Sequence, residues 1–255
     1  MMRAPLLVDA FAGQNARGNR AAVILCPDLP EMAAMQARAA QLAEPATAFV
    51  CERPVNGTHR VRWFAPDREI ALCGHGALAA GYVLLRQLRA AAVRLLSADG
   101  RELAIRRLDD GARYELALPA IPTAPREWPE LIDALGAVPS GIRWNAAGYA
   151  LAVFDDPAQV AGLKPDQAKL AQLGNLQLSV TAPGGSEADF TSRVFSSGRE
   201  DAATGSAHAA LAPYWYARLG RERLTANQAS AAGGRFECRL ERDLVWLGGE
   251  CRLVT

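Results

Sequence analysis

Two short stretches hold most of the residues able to move a proton: Cys73-Gly74-His75-Gly76 and Asp201-Ala202-Ala203-Thr204-Gly205-Ser206-Ala207-His208. In each, a glycine opens an apolar helical pattern, HGALAAGYVLL after Gly74 and SAHAALAPYWYARL after Gly205. The first N–H groups of a helix have no partners inside it and lie at the positive end of its dipole, so each turn offers a seat for an anion. Facing one another across a cleft, Gly74-His75 and Gly205-Ser206 would hold a small carboxylate between them. His75, Asp201, Ser206 and His208 fall beside these turns, and titratable groups clustered at helix starts are candidates for acid–base work. The same glycines could also be no more than capped helix starts. Ser206 could only cap, and His208 reads as a packing histidine one turn into its helix.

The elements that carry these turns come from an internal repeat with an offset of 131 residues. MQARAAQLAE from Met35 lies over DQAKLAQLGN from Asp166, and RWFAPDREIALCGHG from Arg62 lies over RVFSSGREDAATGSA from Arg193, with no gap between the two matches. Arg62 meets Arg193, Phe64 meets Phe195, Glu69 meets Glu200 and Gly74 meets Gly205. Each copy reads as a helix (about 31–43 and 165–174), a strand (47–52 and 177–182), a second strand (60–65 and 190–196), the glycine turn and the apolar helix. Alternating segments near 93–96, 102–108 and 114–119 close the first copy, and 235–240 and 245–249 close the second. The fold class is therefore α+β with two similar domains. The first covers residues 1–118, and the second covers 131–255, with last residues that can pack back on the first. Residues 119–130, PAIPTAPREWPE, carry four prolines and read as a linker.

Composition narrows the function. Lys+Arg 28 against Asp+Glu 27 gives a net charge of +1, and no basic run is interleaved with aromatics, so nucleic acid is not an expected partner. The apolar run before Asp9 is too short for a signal peptide and no stretch of 18 apolar residues occurs, so neither membrane nor export is expected, and the location is expected to be cytoplasmic. Cys26, Cys51, Cys73, Cys238 and Cys251 are odd in number and widely spaced, a pattern for reduced buried thiols rather than for disulfides or zinc.

GNRAAV, WFAPDREIALCGHGALA, EDAATGSAHAALAPYW and NQASAAGG, with VDAFAGQNARGNRAAVIL near the start, resemble the motifs of the phenazine-biosynthesis PhzF-like family, respectively GNPAAV, WFTPxxEVxLCGHATLA, EDPxTGSAHCALAPYW and QxSxRGG. The similarity runs through nearly the whole chain. It implies the diaminopimelate epimerase fold: two pseudo-symmetric domains, each a barrel-like sheet around a central helix, as a homodimer with the site in the interdomain cleft. It implies an isomerase needing neither metal nor organic cofactor. A phenazine-pathway member isomerises trans-2,3-dihydro-3-hydroxyanthranilate with a glutamate as proton shuttle and a histidine, an aspartate and a serine around it. By motif, these three are His75, Asp201 and Ser206. Asn19, Gly74, His75, Gly76, Thr204, Gly205 and Ser206 are implied to bind the small carboxylate-bearing substrate, whose identity the motifs do not give.

The resemblance fails at its glutamate. That residue lies in the family's LSETAFV, three positions before the phenylalanine, and here LAEPATAFV puts Ala46 there. Glu44 is two residues earlier. Pro45 fixes its own φ and keeps Glu44 out of helical geometry, so the helix is expected to end just before it, with Glu44 at a solvated corner rather than as a substitute for the missing glutamate. Arg20 also replaces the proline of GNPAAV, and Ala231-Ala232 lacks the arginine of the RGG segment. A two-thiol epimerase is not expected, since Cys73 stands at one thiol position but Ala202 stands at the other. The alternative to an isomerase is a small-acid binding protein that has lost the shuttle.

Overall fold

LLVDAFA and NRAAVILC form the first antiparallel pair of the computed structural model, β1 (Leu6–Ala12) and β2 (Asn19–Cys26), with Asp9 opposite Arg20. The structure describes residues 2–108 and 111–254. They separate into one unit of residues 1–118 with 247–255 and another of 119–246.

In the first unit, α1 (Met32–Leu42), β3 (Ala46–Cys51), β4 (Thr58–Phe64), β5 (Glu69–Ile70), α2 (Gly74–Leu88), β6 (Ala92–Leu96), β7 (Glu102–Arg107) and β8 (Arg113–Pro119) follow in order. β2 pairs with β3 in parallel, β3 with β4 antiparallel, β4 with β6 in parallel, and β6, β7 and β8 form an antiparallel run. The last strand of the chain, spanning Leu244–Val254, pairs with both β8 and β1 and so closes the sheet on itself. Successive strand residues point to opposite faces. Ile24, Cys26, Phe49 and Phe64 therefore turn outward onto Met35 and Ala39 of α1, while the other face wraps α2. That helix is buried at every position from Gly74 to Leu85. It fits because Gly81 has no side chain: a Cβ there would lie 2.5 Å from Ile105 of β7.

The second unit comprises β9 (Ala124–Pro125), α3 (Pro129–Leu135), β10 (Gly141–Asn145), β11 (Tyr149–Val153), α4 (Pro157–Gly162), α5 (Gln167–Gln172), β12 (Gln177–Pro183), β13 (Phe190–Ser196), β14 (Arg199–Asp201), α6 (Gly205–Leu219), β15 (Arg223–Gln228) and β16 (Gly234–Glu241). The chain ends with β17 (Leu244–Val254), which starts in this unit and finishes in the first. α6 packs on β11, β12, β15 and β16, and α3, α4 and α5 supply Leu131, Leu135, Val160 and Leu170 to a core with Leu178, Val180 and Phe195 of the sheet. The architecture is α+β, with a curled sheet around a central helix in each unit.

The interval of 131 positions recurs element by element. α2 runs from Gly74 to Leu88 and α6 from Gly205 to Leu219; the parallel pair Thr58↔Arg94 has its counterpart near Phe190↔Ala226. Both helices end in a left-handed cap, Arg89 at φ 52° and Gly220 at φ 62°. A partly exposed fork recurs too. Arg62 meets both carboxylate oxygens of Glu69 at 2.7 Å, and Arg193 meets those of Glu200 at 2.7 and 2.9 Å. Each guanidinium also lies over the aromatic ring two residues on, Phe64 at 5.5 Å and Phe195 at 5.3 Å. These forks pin the hairpins β4–β5 and β13–β14, whose exits lead straight into α2 and α6.

Residues 119–130, expected as a linker, lie within the second unit and are partly structured: Ala124 and Pro125 pair with Trp144 and Arg143. Pro213 inside α6 has no N–H to offer the carbonyl of Ala209, and the N–H of Ile121 takes it at 2.9 Å. The segment read as a linker is thus anchored to α6 at Ile121. Among the described residues no helix is long and apolar enough to cross a membrane, and all five cysteines are buried and unbridged.

A lysine keeps the charge of each fork but not its two parallel bonds. Arg62→Lys and Arg193→Lys should each lower stability by about 1–2 kcal/mol, between the values for exposed and buried pairs, read as a shift in urea midpoint. Unchanged midpoints would remove the forks from the account of the fold.

Candidate active site

At the start of α2 the N-cap residue Cys73 is extended (φ −124°, ψ 100°) and makes no side-chain cap, and the first rung of the ladder is Ala77 N–H to Cys73 C=O at 2.8 Å. His75 lies on this first turn, 7% exposed. Asn19, the first residue of β2, places its side-chain nitrogen 3.3 Å from His75 Nδ1. With that amide donating, Nδ1 accepts, and the neutral imidazole carries its proton on Nε2. Cys73 Sγ is 3.7 and 3.8 Å from the two ring nitrogens, a near-equal spacing that marks packing against the ring rather than one directed bond. Asn19, Cys73, Gly74, His75 and Gly76 are thus brought together.

Ala46 opens β3, fully buried, in register with Ala21 of β2. Asn19 is two residues before Ala21, so Ala46 and Asn19 share a sheet face, the one turned toward α2. Glu44 is elsewhere. α1 ends at Leu42, Ala43 takes the left-handed conformation (φ 53°) with its N–H on Ala39 C=O, and Glu44 follows half-buried before Pro45. Arg20, on the other face of β2, forks onto Asp9 at 2.8 and 3.0 Å. Its pKa is raised chiefly by that hydrogen bond, against desolvation, with the charges of Asp9 and then Glu44 adding to the effect. The charge of Glu44 is thus felt at Arg20, on the face of β2 turned away from Asn19 and α2.

The start of α6 is tied down more heavily. Asp201 accepts from Ala202 N–H at 2.9 Å and from the Thr204 hydroxyl at 2.6 Å. Gln228, 1% exposed on β15, accepts from Thr204 N–H at 2.8 Å and donates to Asp201 C=O at 2.7 Å. Ser230 donates to Ala202 C=O at 2.6 Å. The Asp201 carboxylate thus closes the turn that sets the helix start. Ser206, 6% exposed on that first turn, meets the side-chain amide of Gln177 at 3.1 Å.

Gln177 and Gln228 are functional candidates that motif reading passed over. A signal for the first was present: Gln177 follows Ala46, and Ser206 follows His75, by the same 131 positions. In the second unit this pair of positions touches. In the first, Ala46 carries only a methyl group, and the imidazole of His75 meets Asn19.

The family model described as phenazine biosynthesis-like protein matches residues 8–245. An uncharacterized isomerase of Pseudomonas aeruginosa is 38% identical over 252 residues, covering 96% of this chain and 94% of that protein. The crystal structure of a PhzF family protein from Enterococcus faecalis is similar at a TM-score of 0.89 and 33% identity, over 100% of this chain and 98% of that one. A hydroxyproline epimerase from Agrobacterium vitis, at 16% identity and a TM-score of 0.62 over 100% of this chain and 91% of that one, shares the fold.

His208 stands apart from these groups. It is fully buried, stacked on Phe236 with ring centres 3.7 Å apart, its Nδ1 donating to Thr204 C=O at 2.9 Å. Its Nε2 finds no partner among the described residues. Desolvation pushes its pKa down from 6.5 to about 4 against the opposing hydrogen bond to Thr204, so it is neutral near pH 7 and packs. Below pH 6.5 the unfolded chain takes up a proton that the folded protein refuses, so stability falls from pH 6.5 toward pH 4, by up to about 3 kcal/mol from this residue. Urea titrations at stepped pH should show a shallower loss over that window for His208→Phe, and parallel curves would contradict this assignment.

Proposed function

The chain belongs to the phenazine biosynthesis-like family, and on that footing we propose that it is an isomerase, needing no metal or organic cofactor, that moves a proton within a small carboxylate-bearing metabolite. The observation that carries this reading is the buried first turn of α2, where His75 is fixed by Asn19 beside the N–H groups of a helix start. In this scheme the helix-start amides near Gly74 and Gly205 hold the carboxylate, with Asn19, Gly76 and Thr204 in support. His75 and Asp201 handle the proton and Ser206 orients the ligand. One carbon loses a proton and another gains one, so an enol relaxes to a ketone with no change in composition. The same reading makes the protein a cytoplasmic homodimer, and sedimentation in solution checks the dimer.

One observation favours a second reading, a small-acid binding protein without turnover. The side chain at position 46 is a buried methyl with no proton to exchange, and Glu44 lies outside β3, before Pro45. Incubation with candidate acids in D₂O separates the two, because the isomerase draws solvent deuterium into a carbon–hydrogen position that NMR detects, whereas the binding protein gives only shifts. Loss of exchange in His75→Gln with binding retained is the expected result for the isomerase.

Glu44→Gln should leave binding and exchange nearly intact, since the roughly 6–7 Å between residues two apart on a strand exceeds the 2.6–3.2 Å a proton transfer needs. Ala46→Glu should introduce or raise exchange on a dihydro-hydroxyanthranilate-type substrate. Abolition of exchange by Glu44→Gln, with fold and binding intact, would make Glu44 the displaced acid.

A further inference from the structure

Trp63 is 1% exposed, and its indole N–H finds no hydrogen-bond partner among the described residues. A buried donor left unmatched costs about 1–3 kcal/mol, and such groups in native proteins call for an explanation. Its position supplies one. Trp63 is in register with Ala48 on β3, two residues from Ala46 and hence on the face turned toward α2. A methyl group added at Gly76 would come within 2.8 Å of Trp63 Cδ1 and 3.3 Å of Nε1, and within 2.9 Å of Cys73 Sγ. The N–H edge of the indole therefore lies over the first turn of α2, and the absence of a side chain at Gly76 is what lets it approach. Trp63 is also among the residues that line a cavity of about 350 Å³ with Arg62, Glu69, Ile70, Ala71, Ala98 and Asp99.

We propose that the Trp63 indole N–H is a ligand-binding donor, which joins the N–H groups at the start of α2 in holding one oxygen of the substrate's carboxylate. This deepens the reading given under Proposed function and rests on it. The chemistry suits the task. An indole donates one hydrogen bond and has no proton to exchange near neutral pH, so it can orient a carboxylate without competing with His75 for the migrating proton. In a buried setting its bond to a charged acceptor is strengthened by the low local dielectric. The ligand class is a compact carboxylate, not its neutral amide.

The test uses the full chain with benzoate as probe and benzamide as control, followed by ¹⁵N NMR of the backbone and of the five tryptophan indoles, the Trp63 signal being assigned by its absence in Trp63→Phe. Benzoate should shift the amides of Gly74–Gly76 and move the Trp63 indole proton downfield, and benzamide should do neither. Trp63→Phe keeps a ring but removes the donor. It should fold as stably as the parent and bind benzoate roughly tenfold more weakly, the worth of one hydrogen bond to a charged group. Gly76→Ala, which displaces the indole, should weaken binding as well and quench the indole shift. If the amides respond but the indole does not, and Trp63→Phe binds as the parent does, this inference falls while the carboxylate site stands. If the amides at the start of α2 do not respond, the site itself falls and the inference with it. Should Trp63→Phe fail to fold, the Trp63 indole signal is assigned in the parent protein by its nuclear Overhauser contacts to Gly76 and Cys73, and its shift decides alone.

Discussion

A helix that begins inside a closed sheet cannot hand its first N–H groups to water, and an unmet buried donor is expensive. α2 is buried from its first residue, and so is α6. Neither has a side-chain cap at Cys73 or Thr204. Much of what surrounds these two ends can be read as an answer to that one constraint. The Arg62–Glu69 and Arg193–Glu200 forks fix the hairpins that deliver the chain to each helix. Gln228 and Ser230 bind the turn before α6 from β15 and the loop after it. Around the start of α2 stand an imidazole, a thiol, an indole and the Asn19 amide.

The repeat turns the second unit into an internal comparison for the first. Where strand and helix start converge in the second unit, an amide faces a hydroxyl, Gln177 on Ser206. Neither group titrates near neutral pH, so that corner can orient but cannot exchange protons. In the first unit the corresponding positions are Ala46 and His75, an inert methyl and an imidazole. One backbone scaffold thus presents two chemically different ends, and the difference rests on a few side chains rather than on the sheet.

Legibility from sequence followed the range of each interaction. The spacing of 131 and the apolar runs after Gly74 and Gly205 are local or periodic features, and the two central helices begin where the motifs put them. The forks could have been anticipated, because Arg62 and Glu69 repeat as Arg193 and Glu200 with the same separation of seven. Contacts such as Asn19 with His75, Gln228 with Thr204, or Ile121 with Ala209 join residues tens of positions apart and leave no periodic trace. The prolines of 119–130 gave no sign of the pairing with β10 or of the contact with α6, for a related reason. Proline lowers the odds of regular structure for its own segment, but it says nothing of a carbonyl left open by another proline in α6.

The closing strand carries a consequence for biosynthesis. β1 finds one of its two neighbours in β2, only a few residues on, but the other is Val254 to Glu250 at the far end of the chain. An emerging polypeptide can assemble most of the first sheet once residue 118 has left the ribosome, yet its seam stays open through the synthesis of the entire second unit. During that interval the edges of β1 and β8 present unpaired backbone groups, the kind of exposed edge that recruits strands from other chains. Long-range closure of this sort is slow as well as late. The second unit, by contrast, is nearly contiguous from 119 to 246 and can complete itself while the first still waits, so the part of the chain made first is finished last.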